Sequence, residues 1–85
     1  AICAAPIVLH RAGLLKKKKF TCYPGFEEEI NDGIYTGTIV EKDEKIITGC
    51  GAAASFEFAY TIAEALGTDT SSLREGMQYN KLFKK

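Results

Sequence analysis

Ala1-Ile2-Cys3-Ala4-Ala5-Pro6-Ile7-Val8-Leu9 opens the chain, and the change of pattern at Cys3 decides the fold class. Ala1 to Cys3 reads as the end of a buried strand. From about Ala4 the pattern turns helical. Ile7 and Val8, with Leu14 and Leu15 beyond, fit a short apolar face. Pro6 suits a first helical turn, where its missing N–H costs nothing, and Gly13 is placed as a C-terminal cap. A cysteine between strand and helix sits on a sharp turn. The helix start directs unpaired N–H groups and partial positive charge at the sulfur, which favours thiolate over thiol. The same amides, at Cys3 and Ala4, are suited to hold an oxyanion. This is the strand–nucleophile–helix layout of a nucleophile elbow. The competing reading of any single cysteine is a small apolar residue packed inside.

Working outward, Lys16 to Lys19 is a run of four lysines. It reads as a solvated turn before a strand; an anion-binding patch is the weaker alternative. Phe20 to Tyr23 predicts a strand ended by Pro24-Gly25. Phe26 to Asn31, with three glutamates, predicts a short helix broken by Asp32-Gly33. Tyr35 to Glu41 and Lys45 to Thr48 are β-rich runs around the polar turn Lys42-Asp43-Glu44, and so predict a hairpin. Gly49-Cys50-Gly51 ends it in a tight bend. The longest helix is expected over Ala53 to Leu66. Phe58, Ile62 and Leu66 recur at four-residue spacing beside Phe56, Tyr60 and Ala63, and Gly67 is the natural residue after its end. Ser72 and Glu75 form a Ser-x-x-Glu capping box for a last helix to about Tyr79, with Lys81 to Lys85 as a frayed tail. The order strand, helix, strand, short helix, hairpin, helix, helix predicts an α/β layered domain.

With 85 residues, the chain holds one domain at most. Lys plus Arg equals Asp plus Glu, at 11 each, so charge gives no reason to expect nucleic acid or an acidic membrane as partner. No apolar run has the length of a membrane span. Three cysteines, an odd count without zinc spacing, predict free thiols in a reducing cytoplasm. No cofactor and no metal is expected. The abrupt apolar opening without Met predicts a fragment or processed product entered within a strand. His10, the single histidine, falls seven positions beyond Cys3 on the first helix. That is too far for a Cys–His dyad, so it is expected at the surface or a dimer contact. Glu27, Glu28 and Glu29 point in different directions on a helix and read as a solvated face. Phe56, Phe58 and Tyr60 are core candidates.

Ala1-Ile2-Cys3-Ala4-Ala5-Pro6 resembles the nucleophile segment of the ThiJ/PfpI superfamily, in its Parkinsonism-associated deglycase branch. Thr21-Cys22-Tyr23-Pro24-Gly25 resembles the next strand end. Ile47-Thr48-Gly49, Gly51 and Ala54-Ser55-Phe56-Glu57-Phe58-Ala59 resemble the approach to the long C-terminal helix. The resemblance implies the C-terminal part of a flavodoxin-like layered sheet with helices on both faces. Residues 1–85 would be the C-terminal half of a single domain, with the N-terminal half absent from this chain, and the complete domain a homodimer. It implies that Cys3 is nucleophile and redox-sensitive residue, and that the absent half carries the glutamate that hydrogen-bonds its sulfur. Ala4 stands where the protease-like branch has His, which argues against peptidase activity. Tyr23 stands where the deglycase has His; a phenol there could orient substrate by hydrogen bond. Cys50 replaces a polar or basic residue. The implied function is Cys-dependent hydrolysis of small reactive carbonyls, of deglycase or glyoxalase type. The alternatives are a redox-stress sensor or chaperone using the same Cys3, and an inactive piece of a nicked domain.

Overall fold

The first helix, α1 (Pro6–Arg11), begins on its proline, and His10 and Arg11 lie in its last turn, where positive charge suits the helix dipole. Gly13 follows with φ +78°, a left-handed position that glycine fills without strain. The lysine run then makes a tight turn. Lys17, at φ +60°, donates its N–H to Asp32 C=O at 2.8 Å, and Lys18 pairs with Glu44 at 2.7 Å. The computed structural model describes residues 1–83.

Strand β1 (Lys19–Phe20) pairs in parallel with β2 (Ile34–Tyr35). Strands β3 (Val40–Asp43) and β4 (Ile46–Gly49) form an antiparallel hairpin with Val40 opposite Gly49. Threonines join the two ladders: Thr21 N–H donates to Thr48 Oγ1 at 2.9 Å, and Thr21 Oγ1 to Thr38 C=O at 2.6 Å. Thr21 and Thr48 are wholly buried, and these bonds satisfy hydroxyls that burial would otherwise penalise. The apolar core is Leu15, Phe20, Cys22 and Ile30, with Ile7, Leu9, Phe26 and Ile46 packed on it.

The structure corrects several expected boundaries. The run Tyr35 to Glu41 is two elements, because Gly37 adopts φ +70° and turns the chain out of the extended region. Its first part pairs with β1 instead of with the hairpin. The hairpin turn contracts to Glu44-Lys45, with Glu44 at φ +56°. Of Phe20 to Tyr23, only Phe20 joins a ladder, together with Lys19. The acidic segment forms a 3-10 turn over Phe26–Glu29.

A 3-10 turn over Ala52–Ala54 leads into α2 (Ser55–Ala65), and Gly67 at φ +96° follows it as predicted. Tyr60 is buried, but Phe56 is 53% and Leu66 82% exposed, so Phe56 is not a core residue. Ile62 and Leu66 border, with Leu9, Leu14, Ile46 and Phe58, an open groove of about 740 Å³. The capping box does not form. Helix α3 (Ser71–Gly76) starts before Ser72 without a side-chain cap bond from Thr70, because Asp69 Oδ1 already accepts the Ser71 N–H at 3.0 Å. Tyr79–Phe83 forms a 3-10 helix, so the expected frayed tail is regular there; Lys84 and Lys85 lie outside the described residues.

Arg74 fastens α3 to α2. It donates to Glu57 Oε2 at 2.9 Å, Glu64 Oε2 at 3.2 Å and Thr70 Oγ1 at 2.9 Å. Its guanidinium lies 4.5 Å from the Tyr60 ring centroid, a cation–π contact, and Tyr79 donates its hydroxyl to Glu57 Oε2 at 2.7 Å. The Arg74 bond, aided by Tyr79, holds the Glu57 carboxyl below its ordinary value against the opposing effect of burial. A depressed carboxyl contributes fully above the unfolded carboxylate range, roughly pH 4–5, and loses that contribution as pH falls through its lower folded value. Glu57→Gln is therefore expected to cost about 1–3 kcal/mol at neutral pH and to flatten the acid limb of a stability profile measured by thermal melting. An unchanged acid limb would show that Glu57 does not anchor α3.

Candidate functional site

Cys3 adopts φ +63°, a left-handed conformation that non-glycine residues rarely hold and that costs roughly 1–2 kcal/mol. Such a conformation persists only where surrounding contacts over-determine it, and here both backbone groups are held. Cys3 N–H donates to Gly49 C=O at 2.9 Å, and Cys3 C=O accepts Tyr23 N–H at 2.8 Å. Ile2 forms a parallel bridge with Gly49, and Ala5 N–H closes the turn onto Ile2 C=O at 3.0 Å. Helix α1 starts at the next residue on the buried Pro6. The Ala4 N–H donates to no acceptor among the described residues. The Cys3 side chain is half-buried and its thiol free.

The close approach at Gly49 admits no side chain. A Cβ there would lie 3.0 Å from Ile2 Cγ1 and 3.3 Å from Phe58 Cδ1. Gly49 thus lets β4 grip the Cys3 turn, a role that its position at a strand end did not disclose. Its flanking of Cys50 with Gly51 was the one available signal.

Tyr23 is half-exposed. Its ring meets Phe26 edge-on at 6.1 Å and borders Gly51, where an added Cβ would be 3.8 Å from Tyr23 Cδ1. The backbone bond from Tyr23 to Cys3 brings these two predicted site residues together. Cys22, next to Tyr23, is wholly buried. Burial first, then the charges of Glu27 and Cys3, push its thiol up to about 11, so it remains a protonated core group. Cys50 is half-buried and free.

The remaining residues fall elsewhere. His10 Nδ1 lies 3.0 Å from Asp32 Oδ1, with its side chain 23% exposed. Glu27 Oε1 accepts the Gly25 N–H at 2.6 Å, a local turn bond. Among the described residues no group of three His, Cys, Asp or Glu side chains could hold a metal ion, and no helix is long and apolar enough to cross a membrane.

A single bridge at Ile2 in place of the expected strand, then a left-handed cysteine and a helix, within a mixed helix–strand chain, define an α/β protein with a cysteine on its first turn. The profile of the DJ-1/PfpI family matches residues 1–65, and the chain belongs to that family. It is 40% identical over 68 residues to protein dj-1beta of Drosophila melanogaster and 39% identical over 69 to a Parkinson disease protein 7 homolog of Danio rerio. Each match covers 78% of this chain and 36% of the relative, so the chain spans about a third of their length. A crystal structure of a cysteine-to-alanine mutant of a DJ-1 superfamily protein from Salmonella typhimurium superposes with a TM-score of 0.78 at 32% identity, covering 94% of this chain and 44% of that one. The fold is therefore that of the flavodoxin-like DJ-1 superfamily. Arg74 lies beyond the residues that the family profile matches, while its partners Glu57 and Glu64 lie within them.

Proposed function

We propose that residues 1–85 form the C-terminal half of one Cys-dependent domain that hydrolyses small reactive carbonyls, with Cys3 as nucleophile. The observation that carries this is the left-handed turn at Cys3, fixed from both sides by Gly49 and Tyr23. A left-handed turn held from both sides around a free thiol fits a positioned nucleophile. The Cys3 thiolate adds to the aldehyde carbon of a 1,2-dicarbonyl to form a hemithioacetal, and the free Ala4 N–H donates to its oxyanion. Transfer of the proton on that carbon to the neighbouring carbonyl gives a hydroxy thioester. Water then cleaves it, releasing the 2-hydroxy acid and restoring the thiol. The Tyr23 hydroxyl orients the substrate. The acid that assists Cys3 comes from a complementary N-terminal half. The apolar groove between α2 and β4 is open surface for that half to cover. The complete domain is proposed to be a cytoplasmic homodimer.

The test is turnover by the complete protein of a small 1,2-dicarbonyl, followed as loss of carbonyl and appearance of 2-hydroxy acid. Steady turnover of many equivalents is expected. Consumption that stops at one equivalent, or none above the uncatalysed rate, overturns the enzymatic reading. A second reading, redox sensing or a redox-controlled chaperone role, draws on the same half-exposed free thiol. It predicts that peroxide modifies Cys3 before Cys22. The third, a piece without activity of its own, predicts no turnover from residues 1–85 alone and turnover when the N-terminal half is added.

A further inference from the structure

Cys50 sits in the bend that ends β4, and the chemistry proposed above leaves its thiol unused. Its position is set by a ladder from the other end of the chain. Gly49 N–H donates to Ala1 C=O at 2.9 Å and Gly49 C=O accepts Cys3 N–H at 2.9 Å. These two bonds are the rung of a parallel pair, with Ile2 opposite Gly49. The bridge is isolated, since Cys3 turns left-handed and Cys50 N–H donates to Ile39 C=O at 2.9 Å, but Cys50 follows directly on the Gly49 carbonyl that holds the Cys3 N–H. Neighbouring strands lie about 4.8 Å apart, within the roughly 4.4–6.8 Å Cα separation that a disulfide spans. Both side chains are half-buried and both thiols free. On one side of Cys50 Gly49 is held by the bridge, and on the other Gly51 is extended, φ 175°.

Cys22 is the competing neighbour, since Tyr23 N–H binds Cys3 C=O. It is wholly buried among Leu15, Phe20 and Ile30, closed to solvent, and its thiol is pushed up to about 11. A thiol of that kind supplies almost no thiolate at neutral pH, and the thiolate is the attacking species.

We propose that Cys50 is a resolving thiol for Cys3, converting peroxide damage at the nucleophile into a reversible intramolecular disulfide. This rests on the reading of Cys3 as the reactive thiol. The Cys3 thiolate sulfur attacks one oxygen of a hydroperoxide. The O–O bond breaks, and the leaving oxygen takes up a proton to become water or an alcohol, leaving Cys3 as sulfenic acid. The Cys50 thiolate then attacks that sulfur. The S–O bond breaks, hydroxide leaves and is protonated to water, and a Cys3–Cys50 bond forms. The two thiols lose two electrons, which reduce the peroxide. The disulfide blocks the nucleophile, so carbonyl turnover stops until a thiol reductant restores it. It also diverts Cys3 from sulfinic acid, the level from which thiols do not return it.

The experiment is treatment of the complete protein with equimolar hydrogen peroxide, alkylation of remaining thiols, and peptide mapping by mass spectrometry, with and without dithiothreitol. A linked Cys3–Cys50 peptide, lighter by two hydrogens and separated by reductant, is expected. Cys50→Ser is expected to gain one oxygen on Cys3 with one equivalent of peroxide and a second with excess, and then to lose turnover that reductant does not recover. Oxygen addition to Cys3 in the unsubstituted protein with Cys50 alkylated overturns the resolving role while leaving Cys3 as the reactive thiol. A link from Cys3 to Cys22 also overturns it. Oxidation of Cys22 or Cys50 with Cys3 untouched overturns the reading of Cys3 itself.

Discussion

Cys3→Ser is expected to lower kcat/KM of the complete protein for a small 1,2-dicarbonyl by about 10³-fold or more, the scale on which loss of a nucleophile acts. Serine keeps the shape of the side chain and the two backbone bonds that hold the turn, Cys3 N–H to Gly49 and Tyr23 N–H to Cys3. The change is therefore confined to the attacking atom. A hydroxyl is a far weaker nucleophile than a thiolate unless a base activates it. The single histidine is paired with Asp32 at 3.0 Å and is not among the residues that bond the Cys3 turn. A steady-state assay, with circular dichroism to verify that the fold persists, checks the prediction. Turnover within tenfold of the parent would show that Cys3 is not the nucleophile, and the mechanism would have to be abandoned. Tyr23→Phe removes one neutral hydrogen bond to substrate and belongs to a much smaller scale.

Phe20→Ala is expected to destabilise the protein by about 3–5 kcal/mol, the usual cost of deleting a large aromatic side chain from a core. Phe20 is wholly buried, belongs to the central cluster with Leu15, Cys22 and Ile30, and stacks at a tilt on Tyr35 with centroids 5.7 Å apart. The site where it sits has little room to collapse, because backbone closes it on one side. A Cβ on Gly33 would lie 2.7 Å from Phe20 Cε1 and 3.0 Å from Leu15 C=O. The same closeness makes Gly33→Ala an overpacking change, expected to cost about 1–3 kcal/mol. Denaturant unfolding of the two variants checks both. A loss below about 1 kcal/mol in Phe20→Ala would mean that this cluster does not hold the structure together. Because Tyr23 follows the end of β1 at Phe20 by three residues, the stronger variant is also expected to loosen the bond from Tyr23 to Cys3 and so reduce activity.

The amino-acid sequence by itself determined the local events. Pro6 can begin a helix and Gly13 and Gly67 can follow one, because each has a backbone preference independent of its surroundings; α1 and α2 form where those residues permit. Runs of β-branched residues around a polar turn were enough for the hairpin, and the change of pattern before Pro6 was enough to expect a turn at Cys3. Tertiary structure decided what depends on partners distant in the chain. The run from Tyr35 to Glu41 is uniformly β-rich, and only the competition between β1 and β4 for its backbone shows that it divides at Gly37. Ser72 and Glu75 have capping-box spacing, but Asp69 reaches the orphan N–H first. Phe56 and Tyr60 look alike in periodicity, yet Tyr60 is covered by Arg74 and Phe56 faces outward. Cys50 lies beside the Cys3 turn because Gly49, its neighbour, bridges to Ile2 and accepts the Cys3 N–H, and pairing between segments so far apart is a property of the folded chain: local propensity constrains φ and ψ residue by residue, while pairing is set by which hydrogen-bond donors and acceptors the packed chain leaves facing each other.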